Sequence, residues 1–305
     1  MEPEAGIHLP VLLDEVTFLL RPRCGGWVVD GTVGMGGHAE ALLERGGAET
    51  RLLGIDRDRE ALARARARLA RYGDRVVLRP GNFRRLDEVA RETGVTAAQS
   101  VLLDLGLSSY QLDASERGFS FGTDAPLDMR FDASEGPTAA ELLRRLSEGE
   151  LARIIFEYGE EPHARRIARE IVSRRRRAPV GTTADLVSAV KAAVPRRAWP
   201  KGRHVATRTF QAVRIAVNQE LEALREAVPA AAGLLAPGGR FGVISFHSGE
   251  DRIVKREFRL LAEGAYVVLE PSPVMPSREE RRANPRCRSA KLRVLERIGE
   301  SHDAR

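Results

Sequence analysis

The sequence predicts an α/β protein: an open, mostly parallel sheet of the nucleotide-binding kind, Rossmann-like, interrupted by an all-helical insertion. Three observations predict it. Apolar runs alternate with amphipathic stretches through the first hundred or so residues, the pattern of a parallel sheet with right-handed crossovers. A glycine turn, Asp30-Gly31-Thr32-Val33-Gly34-Met35-Gly36-Gly37-His38, follows the first run. Asp56 ends the second run twenty positions after Gly36, the offset at which a carboxylate meets a ribose in such folds.

The elements follow in order. Trp27-Val28-Val29 reads as strand one and Arg51-Leu52-Leu53-Gly54-Ile55 as strand two, with a helix between them. Ala and Leu on one face and Arg on the other predict a helix over 58–72. Arg75 to Arg79 reads as strand three, running out at Gly81-Asn82-Phe83; a helix continues to about 93, and Ser100 to Asp104 is strand four. From 110 to 204 no strong strand is visible. Amphipathic spacing there predicts four helices, over 138–148, 150–158, 162–177 and 183–194, with Thr138 (paired with Glu141) and Thr183 as N-caps. The sheet then resumes. A long helix is expected over 207–235, strand five over 240–246 after Pro237-Gly238-Gly239, and a helix over 251–262. Strands six (266–269) and seven (291–295) have a Pro- and Arg-rich loop and no expected helix between them, which predicts a terminal antiparallel hairpin. The domains are therefore 1–109 with 205–305, carrying the sheet, and 110–204, the insertion.

The glycine spacing narrows the ligand. A dinucleotide fingerprint reads G-x-G-x-x-G and aims amides at a pyrophosphate. Here the order is Gly31-x-x-Gly34-x-Gly36-Gly37, preceded by an acid, Asp30. That acid repels a pyrophosphate and suits an ammonium. S-adenosylmethionine, with an ammonium, a ribose diol and no phosphate, fits better than a dinucleotide. A glycine turn with no ligand leaves the placement of Asp56 as coincidence. In an open parallel sheet the ligand lies beyond the strand carboxyl ends. That edge also gathers Phe83, which can cover an adenine or simply fill the core, and Asp104, near the reacting end of the cofactor or a turn cap. Gln111 and Asp113 follow at the start of the insertion. His247, Ser248, Glu250 and Asp251 line the substrate side or cap a helix; with no G-x-S-x-G elbow they do not read as a hydrolase.

Composition bounds the partners. Hydrophobic residues make up 43% of the 305, enough for a full core, and the net charge is +6. Cys24 and Cys287 match no metal or redox spacing, the histidines show no metal spacing, and no catalytic metal is expected. Two lone cysteines fit a reducing cytosol, and no stretch reads as a signal peptide or membrane span. Between His163 and Arg214 fourteen basic side chains face only Glu170 and Asp185, a balance of +12, twice that of the whole chain. Arg174, Arg175, Arg176, Arg177, Arg196 and Arg197 stand out there, and 278–297 adds a second basic run. Such tracts suit a phosphate backbone, though an isolated arginine run also serves as a solvated helix face. Three functions are thus in view: an RNA methyltransferase, a methyltransferase for a small molecule or protein, and a non-catalytic RNA-binding protein on a vestigial fold. The +12 tract argues against the second, and the set Asp30, Asp56 and Asp104 against the third.

Taken together the motifs resemble a family. They are His8-Leu9-Pro10-Val11-Leu12-Leu13-Asp14-Glu15, the glycine turn, Gly54-Ile55-Asp56-Arg57-Asp58, and Leu103-Asp104-Leu105-Gly106-Leu107-Ser108-Ser109 with Gln111-Leu112-Asp113. Further on come Glu116-Arg117-Gly118-Phe119-Ser120-Phe121, Pro126-Leu127-Asp128-Met129-Arg130, Tyr158-Gly159-Glu160-Glu161 and Ala206-Thr207-Arg208-Thr209-Phe210-Gln211-Ala212. Ser245-Phe246-His247-Ser248 with Glu250 to Lys255, Asn284-Pro285-Arg286, and Arg288 to Arg293 close the match. The chain closely resembles the bacterial MraW-type methyltransferases, which methylate the N4 position of a cytidine in 16S ribosomal RNA. The resemblance implies a class I methyltransferase fold with a seven-stranded sheet, S-adenosylmethionine as donor, and a decoding-centre cytidine of the small ribosomal subunit as target. By motif it implies cofactor contacts at Gly36, Gly37, His38, Asp56, Phe83, Asp104 and Gln111. Catalysis is expected at Asp104, with His247 on the base side, and the enzyme is expected in the cytoplasm, with neither DNA nor a membrane as partner. The methylated atom and the choice of ribosomal RNA rest on the resemblance alone, because no Asp/Asn-Pro-Pro-aromatic turn follows strand four. Two departures stand out: Gly249 where the family usually has Leu, and a loop between Pro271 and Asn284 shorter than in many relatives.

Overall fold

A computed structural model describes residues 10–22, 25–106 and 115–299. The chain forms two compact units, Met1–Gly106 with Leu221–Arg305, and Leu107–Glu220.

The first unit holds the sheet: β1 (Trp27–Asp30), β2 (Arg51–Asp56), β3 (Val76–Pro80), β4 (Ala98–Asp104), β5 (Leu235–Ser245), β6 (Tyr266–Val268) and β7 (Lys291–Arg297). Their order is β3-β2-β1-β4-β5-β7-β6. The five strands β1 to β5 pair in parallel, and β7 runs antiparallel to both β5 and β6. Seven strands with an antiparallel terminal pair are what the resemblance implies. Strands β1, β2 and β4 are buried along most of their length because they lie inside the sheet and are covered on both faces. The expected direct loop between the last two strands is longer in structure: a short helix (Arg278–Ala283) and a 3-10 turn (Pro285–Ser289) occupy it.

Helices α1 (Leu13–Leu20), α2 (Gly37–Gly46), α3 (Arg59–Leu69) and α4 (Leu86–Glu92) precede the second unit. The sequence pattern does not mark α1, whose ends are left-handed Leu12 and Arg21. It is fixed by burying Val16 and Leu20 and by two donors from the sheet: Ser100 Oγ to the Leu20 carbonyl (3.0 Å) and an Arg240 guanidinium nitrogen to the Leu19 carbonyl (2.6 Å).

The second unit is helical: α5 (Ala139–Arg145), α6 (Glu148–Glu157), α7 (Ala164–Arg175), α8 (Thr183–Ala193) and α9 (Thr207–Asn218). Reciprocal capping boxes start three of them, Thr138 with Glu141, Ser147 with Glu150, and Thr182 with Asp185. The cap of α8 is therefore Thr182, one residue before the expected Thr183, which instead donates its hydroxyl to the Thr123 carbonyl (2.9 Å). Leu143, Leu151, Ile155, Ile167, Ile171, Leu186, Val190, Phe210 and Val213 form its core.

The long helix expected over 207–235 is two helices, α9 and α10 (Glu220–Gly233). Gln219 is left-handed at φ 51°. The break is held by Asn218, whose amide donates to the Met129 carbonyl (2.7 Å) and accepts from the Phe131 N–H (2.8 Å), and by a two-pronged Arg214–Glu220 pair. Phe210 and Val213 belong to the helical core, so the boundary lies at 106/107 and 220/221 rather than at 109/110 and 204/205. After β5 comes α11 (Ser248–Leu261), and the short helix Arg278–Ala283 is α12. Among the described residues no helix is long and apolar enough to cross a membrane.

Candidate active site

The carboxyl ends of β1, β2 and β4 carry Asp30, Asp56 and Asp104. Because β1 lies between the other two strands, Asp30 is the middle acid. It is 1% exposed. Burial pushes its carboxyl up to about 8; the Thr32 amide lowers it, and the charges of Asp104 and Asp56 raise it again. At neutral pH Asp30 thus holds a proton that an ordinary aspartate has lost. Asp56 is pushed up to about 6, by burial first, against the lowering pull of the Asp58 and Gly34 amides.

The glycine turn is built on these acids. Thr32 N–H donates to Asp30 Oδ1 (3.1 Å), and Thr32 Oγ1 accepts from the Asp104 N–H (2.6 Å), tying the turn to the end of β4. Gly34 N–H donates to Asp56 Oδ2 (2.8 Å) and Asp58 N–H to Asp56 Oδ1 (2.9 Å). The Arg57 amide donates to this carboxylate as well, so three backbone N–H groups hold Asp56 in place. Gly34 and Gly36 have φ of 51° and 83°, so the turn needs glycine at both. A Cβ on Gly31 would lie 2.5 Å from Leu103 Cδ2, so the backbone there is pressed onto the sheet.

His38 opens α2 and is buried. Its Nε2 lies 2.9 Å from the Val11 carbonyl, which can only accept, so Nε2 carries a proton. The other nitrogen, Nδ1, faces Asp104 Oδ2 at 3.6 Å. Phe83 starts a 3-10 turn that Asn82 caps by accepting from the Arg84 N–H (3.0 Å); its ring is half-buried. Gln111, with Leu107, Ser108 and Asp113, lies outside the described residues.

His247 is the N-cap of α11. Its Nδ1 accepts from the Glu250 N–H (3.3 Å), while Glu250 Oε2 accepts from the Phe246 (2.8 Å) and His247 (3.2 Å) amides. His247 Nε2 lies 3.2 Å from Glu250 Oε1 but without hydrogen-bond geometry. The histidine and the buried Glu250 therefore shape the turn after β5. Asp251 is committed to Lys291 Nζ (2.9 Å) and Arg293 Nε (2.8 Å), which hold its carboxyl below the usual range despite burial. It locks α11 to β7. A Cβ on Gly249 would come within 3.2 Å of His247 Nδ1, so the glycine leaves that imidazole its place.

The expected arginine cluster divides. Arg174 binds Glu170 (2.7 Å) and Ser188, its Nη1 on the hydroxyl (2.8 Å) and its Nη2 on the carbonyl (3.2 Å). Arg175 donates to the Leu143 and Leu146 carbonyls, closing the C-terminus of α5. Both serve the helical core, which the run of charges in sequence does not reveal. Arg176, Arg177, Arg196 and Arg197 are exposed, with Arg196 stacked 5.5 Å over the Trp199 ring.

The acceptor set at the strand ends suits a ligand with a diol and positive charge: Asp56 presents a carboxylate, and the charges of Asp56 and Asp104 beside the buried Asp30 favour a cation. Among the described residues no group of three His, Cys, Asp or Glu has the arrangement to hold a metal ion. Residues 5–298 match the family model described as the MraW methylase family. A protein named Ribosomal RNA small subunit methyltransferase H from Geotalea uraniireducens (strain Rf4) is 51% identical over 307 residues, covering 95% of this chain and 98% of that one. The protein of the same name from Heliobacterium mobile is 48% identical over 308 residues, covering 95% and 99%. A crystal structure titled as a putative rRNA-methylase from Clostridium thermocellum overlays with a TM-score of 0.49 at 15% identity, over 96% of this chain and 100% of that chain, a general backbone likeness only.

Proposed function

The chain belongs to the MraW methylase family, and we propose that it transfers a methyl group from S-adenosylmethionine to the N4 amino group of one cytidine in the decoding centre of 16S ribosomal RNA. The relatives' name carries the ribosomal substrate. The trio Asp30, Asp56 and Asp104 is the single observation that carries the cofactor: three acids at the ends of neighbouring strands, the buried middle one held protonated by burial and by the charges of the other two, which a cationic ligand relieves. Bound S-adenosylmethionine supplies an electrophilic methyl group on a sulfonium centre.

The chain's own residues do the rest. Asp56 accepts from the ribose hydroxyls. The Gly36-Gly37 backbone, with His38, forms the turn against which the cofactor lies; Phe83 covers the adenine, and Gln111 adds a polar contact. Asp104 takes the exocyclic amino group as a hydrogen-bond donor. A cytosine amino nitrogen is a weak nucleophile because its lone pair is conjugated with the ring, so placement in line, at roughly 3–3.5 Å from the carbon attacked, does more than a strong base. The target base must leave its stack to reach a cleft. As the N–C bond forms, the methyl–sulfur bond would break with its electron pair left on the sulfur, and the nitrogen sheds a proton to water or to Asp104. His38 Nδ1 stands beside the Asp104 carboxylate; His247 holds the turn on the base side through its cap. Arg176, Arg177, Arg196 and Arg197 hold phosphates of the RNA. The small subunit places the enzyme in the cytoplasm. Mass mapping of modified cytidines in 16S RNA from cells with and without the protein tests this: one N4-methylation should vanish with it, and an unchanged map would reject the assignment.

A further inference from the structure

The turn between α6 and α7 encloses a groove of about 840 Å³ within the helical unit, inside the roughly 300–1,000 Å³ range of ligand clefts. Its lining combines Phe156 with Arg153, Arg165, Arg166 and Arg169. All five are exposed, Phe156 at 62%. Leu151 and Ile155 already supply the buried stripe of α6, so Phe156, one position further round, serves no packing need of that helix. One carboxylate lines the groove, Glu148, at 3.5 Å from Arg169.

Helices α7 and α9 lack the first-turn acid that the other three helices of the unit carry. Helices α5, α6 and α8 have an acid in the first turn, where the helix dipole favours one. The first turn of α7 has none and carries Arg165 and Arg166. Positive charge there opposes the dipole, and an anion drawn to the groove offsets that. Guanidiniums around an exposed aromatic ring match single-stranded RNA, in which every nucleotide offers one phosphate and one stacking face. An acidic protein surface answers the arginines but not the ring.

We propose that this groove is an RNA subsite apart from the methyl-transfer site: an unpaired base stacks on Phe156, and flanking phosphates are held by Arg153, Arg165, Arg166 and Arg169. The inference rests on the RNA-methyltransferase reading above.

Fluorescence anisotropy of the full-length protein with a labelled single-stranded oligouridylate, titrated in salt, tests it. Phe156→Ala should weaken binding about ten-fold without changing the salt slope, and Phe156→Trp should retain it. Arg165→Gln with Arg166→Gln should lower the slope of log affinity against log salt by roughly 1.4, two phosphates' worth on a single strand. A duplex RNA, whose bases are stacked away, should not respond to Phe156→Ala. Cofactor affinity by calorimetry and the melting temperature should stay at wild type, since these side chains are exposed. Unchanged single-strand affinity in both variants, with wild-type methylation of small subunits intact, overturns the subsite and leaves the enzyme reading standing. Variants that bind the oligonucleotide normally but lose the intact subunit would mean that the groove takes a ribosomal protein, which also overturns it. A wild-type protein that methylates no RNA defeats the underlying reading and this one with it.

Discussion

Raising the pH from about 6 to about 7.5 should tighten S-adenosylmethionine binding, and Asp30→Asn should remove most of that dependence. The window stays below the range, about 7.7–8.0, where an α-amino group of the ligand's kind loses its charge. The Asp30 carboxyl, raised from 3.8 to about 8 by burial and by its acidic neighbours, is ionised in about 1% of molecules at pH 6 and about a quarter at pH 7.5. A cation that binds only the ionised form therefore gains up to about 20-fold across the window. Asp56, raised to about 6, adds at most about another two-fold. The folded apo protein binds more protons than the unfolded chain between the unfolded and folded values of Asp30. Its stability should accordingly fall as pH rises through that window, and less so in Asp30→Asn. Asparagine keeps an oxygen for the Thr32 amide, so the turn survives while the titration is lost. Calorimetry in two buffers of different ionisation heat, at several pH values, counts the protons released on binding. A flat wild-type affinity, or an equal slope in Asp30→Asn, would refute the reasoning.

The other predictions can be checked on the same protein. Asp56→Ala should cost about 2–3 kcal/mol of cofactor binding, the scale of hydrogen bonds to a charged group, and unchanged calorimetric affinity would remove the ribose assignment. Asp104→Ala should nearly abolish single-turnover methylation of small subunits while Asp104→Asn keeps some, and a fully active Asp104→Ala would end its central role. His247→Ala should lower stability by about 0.5–2 kcal/mol as a lost helix cap, with His247→Asn recovering it; if turnover stays at wild type, the residue acts only as a cap. Arg176→Gln with Arg177→Gln should flatten the salt dependence of RNA binding at constant melting temperature, whereas Arg174→Gln or Arg175→Gln should lower the melting temperature, because only the latter two hold Ser188 and the end of α5.

Much of the sheet was legible because a buried parallel strand writes itself as an apolar run ending in a turn. Strands β1 to β4, and the acids that end three of them, were visible that way, and the capping box at Thr138 was visible from its Thr-x-x-Glu spacing. The break at Gln219 was not. It is enforced by Asn218 reaching Met129 and Phe131, nearly ninety positions earlier in sequence, and no local pattern encodes such a partner. The split within Arg174 to Arg177 was hidden for the same reason: two of four identical side chains meet carbonyls and a hydroxyl supplied by other helices. Likewise, the partners of Asp251, Lys291 and Arg293 on β7, lie 40 and 42 positions away in sequence and leave no local trace. The proton held by Asp30 depends on burial, which sequence gives only as an expectation. Phe156 did leave a trace, an aromatic residue one step off the apolar stripe of its helix, but only the groove beside it gives that trace meaning.

The most direct test of the whole account is nucleoside mass spectrometry after a defined reaction. Small subunits from cells lacking the protein would be incubated with the purified enzyme and S-adenosylmethionine carrying an isotope-labelled methyl group. Their 16S RNA would then be digested and mapped. The account predicts label in one N4-methylated cytidine of the decoding centre, lost with Asp104→Ala. Label at a ring carbon, on another base, in a ribosomal protein, or in no product at all would contradict it.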